Sequence, residues 1–295
     1  MVVSYVGFGN VGRACAYLTS TMDMEVHLNI IDPGDWISGS VIDLGSSLEA
    51  RKNKAFSVND YDLLEQSDVI IYSAGANQPI GESRLNIAQS AIKLAHDIFD
   101  DLKLKPDVKI IVISNPVDVI SYHVWKAVGC APEQIIGTGT WVDQIRLDYY
   151  LKQSYGVDTD KEHVRILGEH GDSMTLLYSL FADENFSEET RESLRHRVIT
   201  TASEIRKTQE YTYYGVGRCA FDIMLAMLGQ LDLTIPVSVL PQADYKDFFG
   251  TDELFISLPV RFENGDISQV NYLEQLTDSE KEKLKLSGEV ILKHV

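Results

Sequence analysis

Val2-Val3-Ser4-Tyr5-Val6, followed at once by Gly7-Phe8-Gly9-Asn10-Val11-Gly12, decides the fold. The first five residues are a short β-type run. Beyond the glycines, Val11, Ala14, Cys15 and Leu18 recur at i, i+3, i+4 and i+7, which is one face of a helix. The glycines therefore stand on a strand-to-helix turn. There Gly7 permits the turn, Gly9 lets a pyrophosphate meet the backbone, and Gly12 lets the helix pack on the sheet. The start of the helix also offers free N–H groups to a phosphate. A second strand follows, with Val26, Leu28 and Ile30 alternating, and it ends in Asp32, twenty residues after Gly12. At that separation a carboxylate meets the adenosine ribose hydroxyls and repels a 2′-phosphate, so NAD is favoured over NADP. A glycine turn alone would also suit another α/β fold; strand, glycines, helix and acid in series specify a dinucleotide site.

The alternation continues outward from that unit. Residues 55–58 read as a strand, 61–66 as a helical turn, 68–74 as a buried strand and 83–102 as a long amphipathic helix. Residues 108–113 form another apolar strand, and 118–128 a helix closed by Gly129. Strands alternating with helices imply a Rossmann-type doubly wound parallel sheet, an α/β fold with helices on both faces. Ligands of such sheets bind past the carboxyl ends of the strands. The cofactor residues expected there are Gly7, Phe8, Gly9, Asn10, Val11, Asp32, Ala74, Gly75, Ser114 and Asn115.

From about residue 138 the pattern changes. Residues 164–167 read as a short strand stopped by Gly168, 174–181 as a strand, and 187–210 and 214–228 as helices. Residues 233–240 and 254–262 read as strands, joined through the turn Glu263-Asn264-Gly265-Asp266 to a further strand over 267–272. Thr277 with Glu280 has the form of a capping box opening a last helix. The expected division is a cofactor-binding domain over 1–137 and a smaller α+β substrate domain over 138–295.

Composition narrows the function classes. With 295 residues, 44% hydrophobic, the chain can bury a large core. A net charge of −18 and a pI near 4.7 argue against nucleic acid and anionic membranes as partners. An anionic substrate would need local arginines to overcome that background. Three scattered cysteines suit neither a disulfide framework nor a metal cluster, and they fit a reducing compartment. No apolar run approaches the ~20 residues of a membrane span, and the N-terminus lacks the pattern of a secretory leader. A cytoplasmic protein is expected, with no metal site.

In Gly168-Glu169-His170-Gly171-Asp172-Ser173, glycines on both sides let another molecule approach an imidazole closely. Histidine exchanges protons near neutrality, although such a residue could also merely end a strand and bond a carbonyl. Trp141 opens a helix on which Asp143 and Arg146, three apart, share a face. By itself that would be an ordinary surface pair. The polar loop Asn77-Gln78-Pro79-Ile80-Gly81-Glu82-Ser83-Arg84 leaves the crevice edge, where a lid would be placed.

GFGNVG with Asp32, SAGANQPIGESRLN, SNPVDV, GTGTWVDQIR, LGEHGDS and the closing TDSEKEKLKLSGEVI helix appear in an order that resembles the L-lactate/malate dehydrogenase family, most closely its lactate dehydrogenase branch. The resemblance runs nearly end to end. It implies an NAD-dependent L-2-hydroxy acid dehydrogenase in which His170 exchanges the proton, Asp143 holds the imidazole, and Arg84 on the closing loop polarises the carbonyl. Arg146 would grip the substrate carboxylate with its two-pronged guanidinium. Asn115 would bond the reacting oxygen and the nicotinamide edge, and Thr212 would bound the substrate side chain. Malate-specific relatives carry arginine where this chain has Gln78. An uncharged residue there favours a small monocarboxylic 2-keto acid, pyruvate above all, over oxaloacetate.

Ile145 and Val142 depart from the family's usual residues, which keeps a branched or longer keto acid open. Asp148 stands where fructose bisphosphate-activated relatives place an arginine, so no such activation is expected even though His163 matches. The family implies a homo-oligomer, a tetramer or a dimer. Malate dehydrogenase is the competing assignment within the class. Outside it stand an NAD-using glycosidase, which would need a cysteine and histidine metal site, and a non-catalytic NAD-binding protein.

Overall fold

A computed structural model describes residues 1–50, 52–75, 84–159, 164–180, 186–209 and 211–295, with residues 84–87 described in their backbone only. Strand β1 (Val2–Val6) lies between β2 (Val26–Ile31) and β4 (Val69–Tyr72), parallel to both, with Val3 opposite Leu28 on one side and Val69 on the other. Four of its five residues are buried, as expected of a strand covered on both faces. Adding β3 (Lys54–Val58), β5 (Lys109–Val112) and β6 (Ile135–Gly137) gives the parallel order β3-β2-β1-β4-β5-β6. That is the doubly wound arrangement, with its topological switch between β1 and β4.

The sheet does not stop at residue 137. Strand β9 (Leu233–Val239) joins β6 antiparallel through Gly137 and Ser238, and β10 (Ile256–Glu263) and β11 (Asp266–Gln269) extend it to nine strands. Asn264 and Gly265 carry the two positive φ angles, 52° and 87°, of the tight turn expected between β10 and β11. A separate short hairpin pairs β7 (Ile166–Leu167) with β8 (Thr175–Leu176).

The helices follow the expected pattern, with local differences. Helix α1 (Asn10–Ser20) leaves the glycine turn, α2 (Ser38–Leu48) and α3 (Tyr61–Glu65) flank β3, α4 (Arg84–Phe99) precedes β5, and α5 (Val117–Val128) ends on Gly129 at φ 67°. Helix α6 is Trp141–Tyr155, α7 Glu188–Gln209 and α8 Tyr214–Met227. The last helix, α10 (Asp278–Leu292), has both bonds of the Thr277–Glu280 capping box. The strand expected over 174–181 shortens to β8, after which Tyr178–Leu180 turns as a 3₁₀ helix. An unbroken apolar run does not by itself distinguish a strand from a buried turn.

Helix α8 places the second half of the chain against the cofactor half. Gly217 lies so close to α1 that a Cβ there would stand 2.8 Å from the Ala14 Cβ, and the Cys15 thiol faces the Gly217 carbonyl at 3.5 Å. No helix among the described residues is long and apolar enough to cross a membrane.

Candidate active site

The carboxyl ends of the parallel strands open into a crevice of about 1310 Å³. Typical small-molecule pockets occupy ~300–1,000 Å³, so this one suits a long ligand. At one end lies the glycine turn. Gly7 adopts φ 91°, and a Cβ there would collide with the Ala74 backbone; a Cβ on Gly12 would collide with the Gly7 carbonyl. These two glycines close strand, turn and helix on one another, whereas Gly9 has nothing within 4 Å of its own Cβ position. The backbone at Gly9 is therefore open to a ligand, as a pyrophosphate cradle requires.

Asp32, at the end of β2, accepts from the Phe8 N–H at 2.9 Å and from the Gly34 N–H at 3.0 Å. Its backbone is held in turn by Asn59, which accepts from the Asp32 N–H and donates to its carbonyl. Gly7, Gly9, Asn10, Val11, Asp32, Ala74, Gly75 and Asn115 all line the crevice. Phe8 and Ser114 stand just behind it. The Phe8 side chain is buried, and the Ser114 hydroxyl donates to the Ala74 carbonyl at 2.6 Å.

At the other end the short hairpin and α6 bring three charged groups together. The His170 Nδ1 lies 2.6 Å from Asp143 Oδ2, and the Arg146 Nη1 donates to Asp143 Oδ1 at 3.2 Å. Asp143 is almost fully buried, and the other two side chains reach the crevice. Burial works against a charge on His170. The Asp143 carboxylate, by its charge and its hydrogen bond, outweighs that penalty and raises the imidazole pKa above its ordinary value; Asp118 adds to the rise and Arg146 opposes it.

The histidine loop is fixed from three sides. Gly168, at φ 98°, exchanges backbone hydrogen bonds with Ser257 of β10. The Glu169 N–H donates to the Ser287 hydroxyl of α10 at 2.7 Å, and the His170 N–H donates to Asp118 Oδ2 at 2.8 Å. Sequence reasoning passed over Asp118. It sits within SNPVDV, where an acid in the first turn of a helix has an ordinary role at the helix dipole. Only the long-range contact separates it from that role. Burial pushes its carboxyl up to about 6, partly offset by the nearby Ser238 hydroxyl and the His170 N–H.

Thr212 and Val142 both line the crevice. Ile145 stays beside the helix junction, 3.6 Å from where a Cβ on Gly215 would be. Gln78, His163 and the Arg84 side chain lie outside the described residues. Asp148, raised to about 6 by burial against the pull of Arg165, faces that arginine at 3.6 Å.

Residues 1–137 match the NAD-binding domain of the lactate/malate dehydrogenases, and residues 140–295 match their α/β C-terminal domain. The chain belongs to the lactate/malate dehydrogenase family. Among its relatives is the L-lactate dehydrogenase B chain of Sus scrofa, 32% identical over 98% of this chain and 90% of the relative. The corresponding chain of Anguilla rostrata is 31% identical over the same shares. A lactate dehydrogenase from a Medee basin deep-sea metagenome library superposes with a TM-score of 0.88, at 27% identity over 99% of this chain and 97% of its own. Malate dehydrogenase from Archaeoglobus fulgidus, in complex with NADH, superposes at 0.84, with 26% identity over 100% and 98%.

As a lactate/malate dehydrogenase family member, the protein is an NAD-dependent oxidoreductase acting on a CH–OH group. The open backbone at Gly9, the tight contacts of Gly7 and Gly12 and the fixed Asp32 carboxylate fit that cofactor. Among the described residues no group of three or more His, Cys, Asp or Glu is placed to hold a metal ion.

Proposed function

We propose that the protein is an L-2-hydroxy acid dehydrogenase whose preferred pair is pyruvate and L-lactate. The observation that carries this reading is the 2.6 Å contact between His170 and Asp143, with Arg146 bonded to the same carboxylate on the crevice wall. A 2-keto acid needs a proton source for its oxygen and a cation for its carboxylate, and these side chains supply both within one helical turn and one loop. When bound, the nicotinamide supplies the hydride.

The chain's own groups do the rest. Asp143 fixes the imidazole, so that the ring's free nitrogen, Nε2, holds the proton facing the crevice. In reduction that proton passes to the keto oxygen while the carbonyl carbon gains the hydride, leaving His170 neutral; oxidation reverses both movements. Arg146 holds the substrate carboxylate, and Asn115 bonds the reacting oxygen. Arg84, at the start of α4, is given the polarisation of the carbonyl by family resemblance.

Gln78 supports a monocarboxylic acid, because oxaloacetate would leave its second carboxylate unpaired. Thr212, a small residue at the crevice wall, suits a methyl group. Cofactor binding is assigned to residues 1–137 and substrate binding to 138–295, in a cytoplasmic homo-oligomer. NADH oxidation assayed with pyruvate, oxaloacetate and branched 2-keto acids tests the substrate. Pyruvate should give the highest kcat/KM. Equal or better use of oxaloacetate would move the assignment to malate dehydrogenase.

A further inference from the structure

We propose that Arg13 and Trp36 form a clamp on the adenosine side of the dinucleotide site, Arg13 as a cation for the adenosine-side phosphate and Trp36 as an aromatic wall for the base and ribose. Arg13 follows Gly12 directly, in a chain whose net charge of −18 opposes any phosphate. Its side chain folds back over the glycine turn, with Nε donating to the Phe8 carbonyl at 3.0 Å. The guanidinium carbon lies 5.9 Å from the Phe8 ring centre and 5.1 Å from that of Trp36. Two rings thus flank it at the glycine turn. The remaining Nη donors find no hydrogen-bond partner among the described residues, and a guanidinium offers its donors in a fork that matches a phosphate.

Trp36 is 60% exposed, a poor position for an indole that nothing will cover, and it lines the crevice. Its placement is specific. The edge of the indole lies over Gly34, where a Cβ would run into Trp36 Nε1 and Cδ1 and stand 3.2 Å from Asp32 Oδ1. The absent side chain at Gly34 brings the ring alongside the ribose-binding carboxylate. Gly34 serves that carboxylate a second time through its own N–H. An Arg–Trp pair on an open surface is ordinarily a solvated contact; here both partners border the same cofactor turn.

The clamp rests on dinucleotide binding in the crevice, and binding, not turnover, tests it. ADP-ribose, which lacks the nicotinamide, should change tryptophan emission saturably in the wild type and leave it unchanged in Trp36→Leu, which retains Trp125 and Trp141. Stacking and a charge-assisted phosphate contact each predict about tenfold weaker NADH binding, in Trp36→Leu and Arg13→Met respectively. Arg13→Lys should fall between Arg13→Met and the wild type, and Arg13→Met should show a shallower salt dependence. Nicotinamide mononucleotide should bind every variant alike, and the unliganded melting temperatures should stay together. Wild-type protein that binds NADH while all variants match it to within about twofold overturns the clamp alone. Wild-type protein that fails to bind NADH removes the site, and the clamp with it.

Discussion

Asp143 favours the charged form of His170 against the cost of burial, and the direction of that balance sets a pH dependence for the proposed proton transfer. With its pKa raised, the imidazole stays protonated to higher pH than an ordinary histidine, near 6.5. Keto acid reduction needs the protonated ring, so its kcat/KM should hold on the acid side and fall as pH rises through the raised pKa. Hydroxy acid oxidation needs the neutral ring and should rise over the same interval. Asp143→Asn removes the largest upward influence and leaves burial and Arg146 opposed only by the smaller pull of Asp118. The fall in reduction should then move to lower pH, and a pH profile unchanged in that variant would contradict the assignment. His170→Asn should lower turnover by roughly 10²–10⁴-fold, the usual contribution of a positioned acid, with NADH affinity nearly intact by fluorescence titration. At this scale the sequence was informative wherever a residue type is chemically unusual for its place, as with His170 between two glycines. It was silent on Asp118, whose contact joins residues 52 positions apart.

Elements that meet through missing side chains make the next set of tests. A Cβ at Gly7 would enter the Ala74 backbone, and the positive φ is itself unfavourable for alanine. Gly7→Ala should therefore weaken NADH binding and destabilise the fold by about 1–3 kcal/mol, readable as a lower midpoint in urea. A variant with wild-type affinity and midpoint would show that strand and turn are not packed as described. On α6, Asp148 faces Arg165, and by family resemblance it stands where an activating phosphate would need a cation. Fructose bisphosphate should leave pyruvate reduction unchanged, and clear activation in steady-state assays would count against that reading. The parallel strands and the longer helices were legible because their periodicity is strong. Helix α2 (Ser38–Leu48) was not, since SGSVIDLGSSL is rich in serine and glycine and only the burial of Leu44 and Leu48 supports it. The seven-residue helix α9 (Ala243–Phe249) was too short to show a period.

The whole molecule combines a strongly negative surface with a crevice built for anions. At about 0.01 M salt the screening length is ~30 Å, and at 0.1 M ~10 Å. Raising salt over that range should screen the distant charges more than the partly buried Arg146, so kcat/KM for pyruvate should rise; a steep fall would mean that local positive potential governs capture. Nothing in residue order disclosed that β9, β10 and β11 would prolong the parallel sheet, because that junction is an antiparallel pairing of Gly137 with Ser238, far apart in the chain. Through it β10, whose Ser257 anchors the histidine loop by backbone hydrogen bonds at Gly168, belongs to the same sheet as the cofactor strands. The most direct test of this arrangement follows the transferred atom. NADH carrying deuterium in both positions on the transferring carbon of its nicotinamide, mixed with the enzyme and pyruvate, should yield L-lactate with one deuterium on the carbinol carbon. Lactate without the label, or lactate of the opposite hand, would contradict direct hydride transfer across this site.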